Sequence, residues 1–507
     1  METMNLKTDR TTALLRIAIA VLALSPTALL AQFAGVLAPP QQYRAGFESI
    51  DVALAEQHLR YLAGPECAGR GTGQPGYMAA AAYVAARFEE MGLKPVGNYG
   101  SFYQAVPYTR MTPDPAGTYL VGAGLTMKLG QGMALSRVTG NYEMEAGEVV
   151  FLNLSASAEK LPDGLDLRGK VVVVTIEKTS RQKQRMISRK RPKLVITVVD
   201  KVAGTAASLR ARVTMAVGNA RRAPSVSIET RFASELAKAF GVDPRLVVLG
   251  YADGESVVSA RGEGDISLKV GVQVEQIWAP NVIGYLPGTD PELNKQYIGV
   301  GAHLDHLGVR DGVVYPGADD DGSGVTAMLL VAKAITSNPL KPKRGVLFMA
   351  FCGEELGLVG SRFYTDNPIF PLDQMDCLLQ MDMVGRNEEK KDVELPEDNV
   401  DTIHLIGSKR ISTELHEITL RANDYIGFKF EYDEESVYSR SDHANFARKG
   451  VPITFLFSGF HPDYHRPTDT IDKINFQKIV SAARLNYLVL EEVAGLDHMV
   501  ARDVGGD

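Results

Sequence analysis

The chain has 507 residues, which is enough for two or three domains of ordinary size. Apolar residues make up 45% of it and charged residues 23%, a composition that excludes an intrinsically disordered chain. The net charge of −7 argues against a nucleic-acid partner, and three cysteines are too few for a disulfide scaffold. We therefore expect a folded protein with a buried core and no nucleic-acid partner.

Residues 1–31 have the pattern of a secretory signal peptide. Basic residues up to Arg16 precede the apolar run 17–24, and Ala28 and Ala31 mark a cleavage site. The run is shorter than the ~20 residues of a membrane-spanning helix. These features predict that the mature protein is exported, to the periplasm or the extracellular space, without a membrane attachment. An uncleaved N-terminal anchor is the alternative.

Two helices are predicted within residues 45–115. Leu54, Leu59 and Leu62 fall on one face of the first helix, and an alanine-rich stretch that ends at Gly92 forms the second. We assign this segment to the main domain, as its N-terminal part.

Residues 116–275 lack the helical pattern of residues 45–115 and have short apolar runs between Gly, Pro and Asp turns. The runs at 149–151 and 171–176 are typical of strands, so a β-rich insert is predicted. Seven Lys or Arg residues lie between Ser180 and Lys193. Because charge blocks are commonly exposed, we expect a solvated loop there rather than a binding patch.

From 276 to 500, apolar strands alternate with helices, which predicts a parallel sheet covered by helices on both faces. Four predicted strands each lead towards residues that can bind metal: 297–302 into His303, 346–351 into Glu354 and Glu355, 378–381 into Asp382, and 453–457 towards His461 and His465. Ligands of open α/β sheets bind beyond the carboxyl ends of the strands. We therefore expect a functional site at this edge.

Histidines and carboxylates are concentrated near these strand ends. They are His303, His306, His443, His461, His465, Asp305, Asp319, Asp320, Asp321, Glu354, Glu355 and Asp382. Imidazole with carboxylate suits zinc, or less often manganese or cobalt, in a hydrolytic site. Converging carboxylates repel one another, and one or two divalent ions would remove that conflict. Any one of these residues could be structural, but their density favours a metal site.

Two spacings predict roles within the cluster. His303 and Asp305 lie two apart on an extended chain, so the Asp305 carboxylate is expected to accept a hydrogen bond from the second ring nitrogen of His303. Glu354 and Glu355 are adjacent and diverge, so one can bind metal while the other acts as general base on a water. The alternative is that this pair only complements a helix dipole.

Six motifs between residues 301 and 470, in this order, resemble the dinuclear zinc exopeptidases related to bacterial leucyl aminopeptidases, glutamate carboxypeptidase and the non-catalytic transferrin receptor. The motifs are Gly301-Ala302-His303-Leu304-Asp305, Gly317-Ala318-Asp319-Asp320-Asp321-Gly322-Ser323-Gly324, Glu354-Glu355-Leu356-Gly357, Gln380-Met381-Asp382-Met383, Ser441-Asp442-His443 and Tyr464-His465-Arg466-Pro467-Thr468-Asp469-Thr470. The resemblance implies the α/β zinc aminopeptidase fold, with a mixed, mostly parallel central sheet flanked by helices. Residues 45–115 and 276–500 would together form the peptidase domain.

The resemblance also implies two zinc ions, or other divalent metals, and a set of ligands. The ligands would be His303, Asp320, Glu355, Asp382 and His465. Asp320 would bridge both ions, His303 and Asp382 would complete one site, and Glu355 and His465 would complete the other.

Three further residues would act in catalysis by the same resemblance. Glu354 would be the general base, Asp305 would orient His303, and Tyr438, three residues before Ser441, would donate a hydrogen bond to the developing oxyanion.

Four residues near these motifs are expected to play other roles. Asp319 and Asp321 would be turn-forming neighbours of the bridging aspartate. His306 and His461 fall outside the ligand positions of the family, so structural or substrate-rim roles are expected for them.

The insert resembles protease-associated domains. Residues 166–174 are similar to the core strand of those domains, and 223–228 with the helix through Phe240 are similar to a later part. An inserted protease-associated domain at 116–275 is therefore expected.

The function implied is that of an exported zinc aminopeptidase, in which a hydroxide bridging the metal ions attacks the N-terminal peptide bond of a peptide. A carboxypeptidase or dipeptidase on the same scaffold is the alternative, with Arg440 or Arg466 binding the terminal carboxylate of the substrate. A one-zinc glutaminyl cyclase or a non-catalytic, receptor-like binding protein is disfavoured, since all five ligand positions and the base are present. The oligomeric state is not predicted. Cys352 is expected to pack in the core, and a disulfide of Cys67 or Cys377 stays open.

Overall fold

The computed structural model describes residues 36–137, 140–177, 181–202, 212–214, 225–252, 257–390 and 399–505. The signal peptide expected at 1–31 lies outside these residues and stays a prediction. Within the described ranges, no helix has both the length and the apolar character needed to cross a bilayer.

The strands, in chain order, are β1 Lys94–Pro95, β2 Tyr103–Gly122, β3 Leu125–Leu129, β4 Gly132–Arg137, β5 Tyr142–Leu154, β6 Val171–Ile176, β7 Leu194–Val199, β8 Arg212–Thr214, β9 Ser225–Glu229, β10 Val257–Leu286, β11 Tyr297–His303, β12 Gly308–Arg310, β13 Val313–Tyr315, β14 Gly345–Phe351, β15 Met375–Met381, β16 Thr402–Ile406, β17 Lys429–Glu431 and β18 Ile453–Phe457. The α-helices are α1 Arg44–Glu48, α2 Val52–Leu62, α3 Pro75–Glu90, α4 Arg181–Arg189, α5 Thr230–Ala239, α6 Gly322–Ser337, α7 Val359–Asp366, α8 Thr413–Asn423, α9 His443–Ala447 and α10 Phe476–Gly495.

The sheet that carries the strand-end residues is built around four parallel neighbours, in the order β18, β15, β11, β14. β10 extends this sheet antiparallel to β14, and β16 extends it antiparallel to β18. Every residue of the four central strands is buried, as parallel strands covered on both faces should be. The predicted mixed, mostly parallel sheet is confirmed.

Helices cover both faces of this sheet. One core cluster joins the sheet to residues of α2, α3, α6 and α10, and a second cluster on the opposite face includes residues of α7 and α9. The chain enters α6 directly from the aspartate turn, because the Asp321 side chain accepts a hydrogen bond from Gly324 N at 2.9 Å and so caps the helix.

The β-rich part has cores of its own. β5, β6, β7 and β9 are parallel neighbours, and α5 packs on them through Leu236 and Phe240 among other residues. The antiparallel strands β2 and β10, 20 and 30 residues long, run from the main sheet into this part. Both predicted boundaries, 115/116 and 275/276, fall inside these strands, so continuous strands rather than linkers join the two parts in the described chain. The domain limits and the likeness to protease-associated domains stay predictions.

The basic run at 180–193 differs from the expectation of a solvated loop. Most of it forms helix α4, and Lys183 is 5% exposed because its Nζ donates to Ser155 O at 2.6 Å and to Ala156 O at 3.0 Å. Satisfying two strand-end carbonyls gives this lysine a packing role, which charge patterning alone does not reveal.

All three cysteines are buried and free. Cys352 lies at the end of β14 with Sγ donating to Ala279 O at 3.1 Å, in agreement with the expected packing role.

Candidate active site

The carboxyl ends of the four central strands bring the predicted ligand residues together. Asp320 lies between two groups of side chains and offers one oxygen to each. Its Oδ1 is 3.2 Å from His303 Nε2, and its Oδ2 is 3.1 Å from His465 Nε2. This division of one carboxylate between two histidines is the geometry that a bridging ligand requires.

The first group contains His303, Asp320 and Asp382. Asp382 Oδ1 lies 3.3 Å from His303 Nε2, and all three residues are buried. The second group contains Glu355 and His465 with Asp320, and Glu355 Oε1 is 3.2 Å from His465 Nε2. Zinc bonds of ~2.0–2.2 Å place tetrahedral ligand atoms roughly 3.3 Å apart, so these separations fit a shared ion in each group.

His306 belongs to the second group, contrary to the rim role considered for it. It is 2% exposed, and its Nδ1 lies 2.9 Å from Glu355 Oε1 and 3.6 Å from Asp320 Oδ2. Both ring nitrogens of His306, and Glu355 Oε1, are buried without a hydrogen-bond partner in the described part of the chain. Polar atoms left in this state point to an ion, so the second group offers four candidate ligands where the sequence indicated three.

The charges of the two groups also call for cations. Burial and the nearby Asp320 oppose ionisation of Glu355, yet the adjacent imidazoles of His306 and His465 lower its pKa to about 2. Burial acts to lower the pKa of His465, but its close contacts with Asp320 and Glu355 raise it to about 9. In the second group, then, Glu355 stays ionised against positive charge. Divalent ions meet the same demand, and the imidazole and carboxylate donors are those that zinc prefers.

The Asp305 carboxylate does not accept from His303 as predicted. The backbone carbonyl of Asp305 accepts a hydrogen bond from His303 Nδ1 at 2.9 Å, whereas the Asp305 carboxylate oxygen Oδ1 is 3.9 Å from that nitrogen. The carboxylate instead accepts from Glu354 N at 3.0 Å and from Thr72 Oγ1 at 2.8 Å. Asp305 therefore holds both His303 and Glu354, one through its backbone and the other through its side chain.

Glu354 lines the pocket beside the first group. Burial, with the Asp382 carboxylate acting in the same direction and His303 opposing it, raises the pKa of Glu354 well above its usual value. A carboxylate that binds a proton readily and faces the predicted ligands has the properties of a proton carrier.

The aspartates that flank Asp320 build its loop. Asp321 accepts from His303 N at 3.0 Å and from Met383 N at 3.1 Å, which ties together two strand ends. Asp319 Oδ2 lies 3.2 Å from Nε2 of His461, which is buried. Both aspartates and His461 are therefore placed as structural supports.

Arg70, which was not predicted as a site residue from the sequence, holds the loop that carries Asp320. Its side chain is fully buried, and it donates to the backbone carbonyls of Leu62, Leu304, Pro316, Gly317 and Asp320. The sequence feature that could have identified this residue is an arginine between two glycines, in Ala68-Gly69-Arg70-Gly71. The local sequence does not show which distant carbonyl groups the arginine binds.

A pocket opens onto the first group. Its lining residues are His303, Asp320, Glu354, Asp382, Met383, Val437, Arg440, Ser441, Phe455, Phe457, Phe460 and Tyr464. The lining thus combines polar residues with an apolar, largely aromatic wall.

Tyr438, the predicted oxyanion donor, is not among these lining residues. Its ring packs under the Arg410 guanidinium, 3.9 Å from the ring centre. Tyr464 lines the pocket instead, stacked on His465 with ring centres 3.9 Å apart. The position of Tyr464 directly before the predicted ligand His465 could have identified it from the sequence. Tyr438 was predicted instead because of its spacing from Ser441.

Part of the chain is similar in sequence to known peptidases. The model of peptidase family M28 matches residues 281–490. A probable leucine aminopeptidase of Arthroderma otae is 28% identical over 223 residues, covering 42% of this chain and 57% of that protein. Leucine aminopeptidase 2 of the same organism is 26% identical over 257 residues, covering 45% and 48%. The chain spans about half the length of these curated relatives.

Solved structures match over nearly the whole chain. An aminopeptidase from Aneurinibacillus sp. strain AM-1 aligns with a TM-score of 0.55 and 20% identity, covering 91% of this chain and 98% of that one. A zinc aminopeptidase from Bacillus subtilis aligns with a TM-score of 0.54 and 18% identity, covering 90% and 98%. At these identities the likeness concerns the fold, which the two structures share with this chain. The match at 281–490, which contains every predicted ligand, shows that this part of the chain is similar to peptidase family M28.

Proposed function

We propose that the protein is an exported metallo-aminopeptidase that removes N-terminal residues from peptides and uses two zinc ions. The observation that carries this proposal is Asp320, whose two carboxylate oxygens face two separate histidine and carboxylate groups. The sequence similarity to a probable leucine aminopeptidase and to leucine aminopeptidase 2 of Arthroderma otae supports the same reaction.

The first ion would be held by His303, Asp320 and Asp382, and the second by Asp320, Glu355 and His465, with His306 in reach as a further ligand. Bound there, the ions would supply Lewis acidity to the scissile carbonyl and make an attacking water more acidic.

Glu354 is the proposed general base. It would take the proton of the attacking water and deliver it to the departing amine, a task that suits a carboxylate with a raised pKa. Its position depends on the turn before it, where Gly353 N donates to Thr72 Oγ1 at 3.1 Å and Glu354 N donates to Asp305.

Tyr464 is the proposed donor to the carbonyl oxygen of the substrate. Arg440 Nη2 donates to the Tyr464 hydroxyl oxygen at 3.2 Å, which leaves the phenolic proton available for the substrate. The guanidinium would also strengthen that donor as negative charge develops on the carbonyl oxygen.

The apolar wall suggests which N-terminal residues are accepted. Met383, Phe455, Phe457 and Phe460 would surround the first side chain of the peptide. Apolar side chains of the size of leucine or phenylalanine would be preferred, since their burial against such a wall is favourable.

A carboxypeptidase or dipeptidase is the second candidate, because Arg440 lines the pocket and could bind a terminal carboxylate. Aminoacyl p-nitroanilides, N-acetylated peptides and free dipeptides separate the possibilities. The proposal predicts hydrolysis of leucyl p-nitroanilide and none of the N-acetylated peptides. Activity confined to blocked peptides would refute it.

The role of Glu354 has its own test. We expect Glu354→Gln to lower kcat by roughly 10²–10⁴-fold while the number of bound metal ions stays that of the unmodified protein. Glu292→Gln, whose side chain is exposed and does not line the pocket, is the control. Near-normal turnover of Glu354→Gln would remove it from the mechanism.

A further inference from the structure

A second concentration of histidine and carboxylates lies at the edge of the main sheet. Glu388 lies in the loop that follows Asp382, His404 is in β16, and Glu431 is the last residue of β17. We call Glu388, His404 and Glu431 the edge cluster. It shares no residue with the two groups of the active site.

The edge cluster has the spacing of a metal site. His404 Nε2 lies 3.3 Å from Glu388 Oε2 and 3.6 Å from Glu431 Oε2. One ligand atom from each of the three residues falls within 4.8 Å of the others. The separations match the roughly 3.3 Å expected between ligands with zinc bonds of ~2.0–2.2 Å, as in the active-site groups.

Burial provides an independent reason. Glu388 is 2% exposed and His404 is 1% exposed. Oε1 of Glu388 and Nδ1 of His404 are buried without a hydrogen-bond partner in the part of the chain that the structure describes. Oε2 of Glu388 and Nε2 of His404 face each other at 3.3 Å, so only the outer atom of each side chain lacks a partner. A cation held by both oxygens of Glu388 would give its buried Oε1 a partner.

The charges around the cluster are also unbalanced. Lys390 Nζ lies 3.2 Å from Glu388 Oε2, 3.2 Å from Asp433 Oδ2 and 3.7 Å from Glu434 Oε1. This ammonium therefore faces three carboxylates, and the buried Lys478 is the other cation that acts on Glu388 and Glu431. Two ammonium groups stand against Glu388, Glu431, Asp433 and Glu434, and a divalent cation would offset the remaining negative charge.

We propose that the edge cluster is a divalent-cation site of the zinc type, formed by Glu388, His404 and Glu431 and separate from the active site. An imidazole ligand suits zinc and similar transition metals, whereas calcium and magnesium prefer oxygen ligands alone. Water would complete the coordination on the exposed side.

Asp433 has the position of a residue that orients the histidine ligand. Its Oδ1 lies 3.1 Å from His404 Nδ1, outside hydrogen-bond geometry, and its side chain is 59% exposed, with Oδ2 accepting from Lys390 Nζ. A hydrogen bond from Nδ1 to this carboxylate would leave the Nε2 lone pair directed at Glu388 and Glu431.

The site would brace the apolar wall of the pocket. β16 pairs with β18, and the His404 ring lies 5.7 Å from that of Phe457. Glu389 N, next to Glu388, donates to Phe460 O at 3.0 Å. A cation at the edge cluster would therefore connect the loop after Asp382 to the strands behind this wall.

Zinc counting tests the proposal. The full chain is stripped with dipicolinic acid, equilibrated with buffered free Zn²⁺ and analysed by mass spectrometry of the metal. We expect Glu388→Gln and His404→Gln each to bind one zinc per chain fewer than the unmodified protein. His498→Gln is the matched control, because His498 also contacts two carboxylates but is exposed. It should bind the full number.

Equal zinc counts in Glu388→Gln, His404→Gln and the unmodified protein would overturn the proposal and leave an ion-pair network at the edge. Filling of the site by Ca²⁺ but not by Zn²⁺ would overturn it as well. The counts do not depend on activity, so they also separate this site from the active centre.

Lys390→Met covers the case in which those variants fail to fold, since it keeps all three ligands. Removal of the competing ammonium should tighten zinc binding at this site roughly tenfold. An unchanged affinity in calorimetric titration would contradict the proposal.

Discussion

At the scale of single residues, the position of Asp320 depends on contacts made by its backbone. Asp469 Oδ2 accepts from Asp320 N at 3.2 Å, and Arg70 Nη2 donates to Asp320 O at 3.2 Å. With the main chain fixed in this way, neither carboxylate oxygen is needed for structure, and both can face the two groups of side chains. Asp305 works similarly, because its backbone and its carboxylate hold different residues.

Arg70 should therefore be a positioning residue. Arg70→Met would leave five buried carbonyls without their donor, and we expect a loss of about 3–5 kcal/mol in the free energy of unfolding together with weaker metal binding. Urea denaturation and metal titration would measure the two effects. Arg60→Met, whose side chain is exposed on α2, should change neither by much. Unaltered metal affinity in Arg70→Met would show that the loop keeps its shape unaided.

Tyr464 and Tyr438 make opposite predictions for the proposed reaction. Tyr464→Phe removes the hydroxyl that lines the pocket, and we expect kcat to fall by roughly 10²–10³-fold with little change in KM. Tyr438→Phe, whose ring packs under Arg410, should retain near-normal kcat. Steady-state kinetics on leucyl p-nitroanilide provides both values. The reverse pattern would restore Tyr438 as the oxyanion donor.

At the scale of secondary-structure elements, the packing of α2 on α3 depends on a neutral histidine. His58 is 2% exposed, and its Nδ1 lies 2.8 Å from the Tyr83 hydroxyl. Burial, and then the positive charge of Arg87, lowers the pKa of His58 to about 4. In the folded protein His58 therefore stays neutral down to about pH 4, whereas in the unfolded chain it binds a proton below about pH 6.5.

Stability should consequently fall on acidification. Between about pH 6.5 and pH 4 the unfolded state binds the His58 proton and the folded state does not, so the contribution of His58 is lost as the pH falls. The shift corresponds to about 3 kcal/mol at pH 4. We expect His58→Gln to show a shallower decline in the free energy of unfolding over this range. Parallel declines in the two proteins would contradict the buried neutral state.

At the scale of the whole molecule, two hydrophobic cores are joined by the long strands β2 and β10. Phe151 is fully buried in the core of the β-rich part, 6.3 Å from Phe240 between ring centres. Phe348 is fully buried in the core beneath the active-site sheet. Because the predicted ligands all come from the second part, damage to the first core should leave them in place.

Phe151→Ala and Phe348→Ala test this division. Each should cost about 3–5 kcal/mol in the core that it opens. We expect Phe151→Ala to lower the unfolding temperature of the β-rich part in calorimetry with the zinc count unchanged, whereas Phe348→Ala should reduce zinc binding too. Loss of zinc from Phe151→Ala would show that the two cores stabilise the site jointly.

The sequence alone indicated where strands of the main sheet end and which family the chain resembles, because both depend on local patterns. The apolar runs predicted before His303 and up to Phe457 are strands β11 and β18, which end at those two residues. The order of short motifs was enough to predict that five residues meet at one edge of a sheet: His303, Asp320, Glu355, Asp382 and His465. Their binding of metal stays a proposal.

Tertiary structure alone decided which atoms of these residues meet. His306 joined the second group, Tyr464 replaced Tyr438 at the pocket, and the carbonyl rather than the carboxylate of Asp305 met His303. The edge cluster also formed only when segments far apart in the sequence came together. The physical reason is that side-chain direction at a strand end depends on loop conformation and on packing against remote segments, and neither leaves a periodic trace in the sequence.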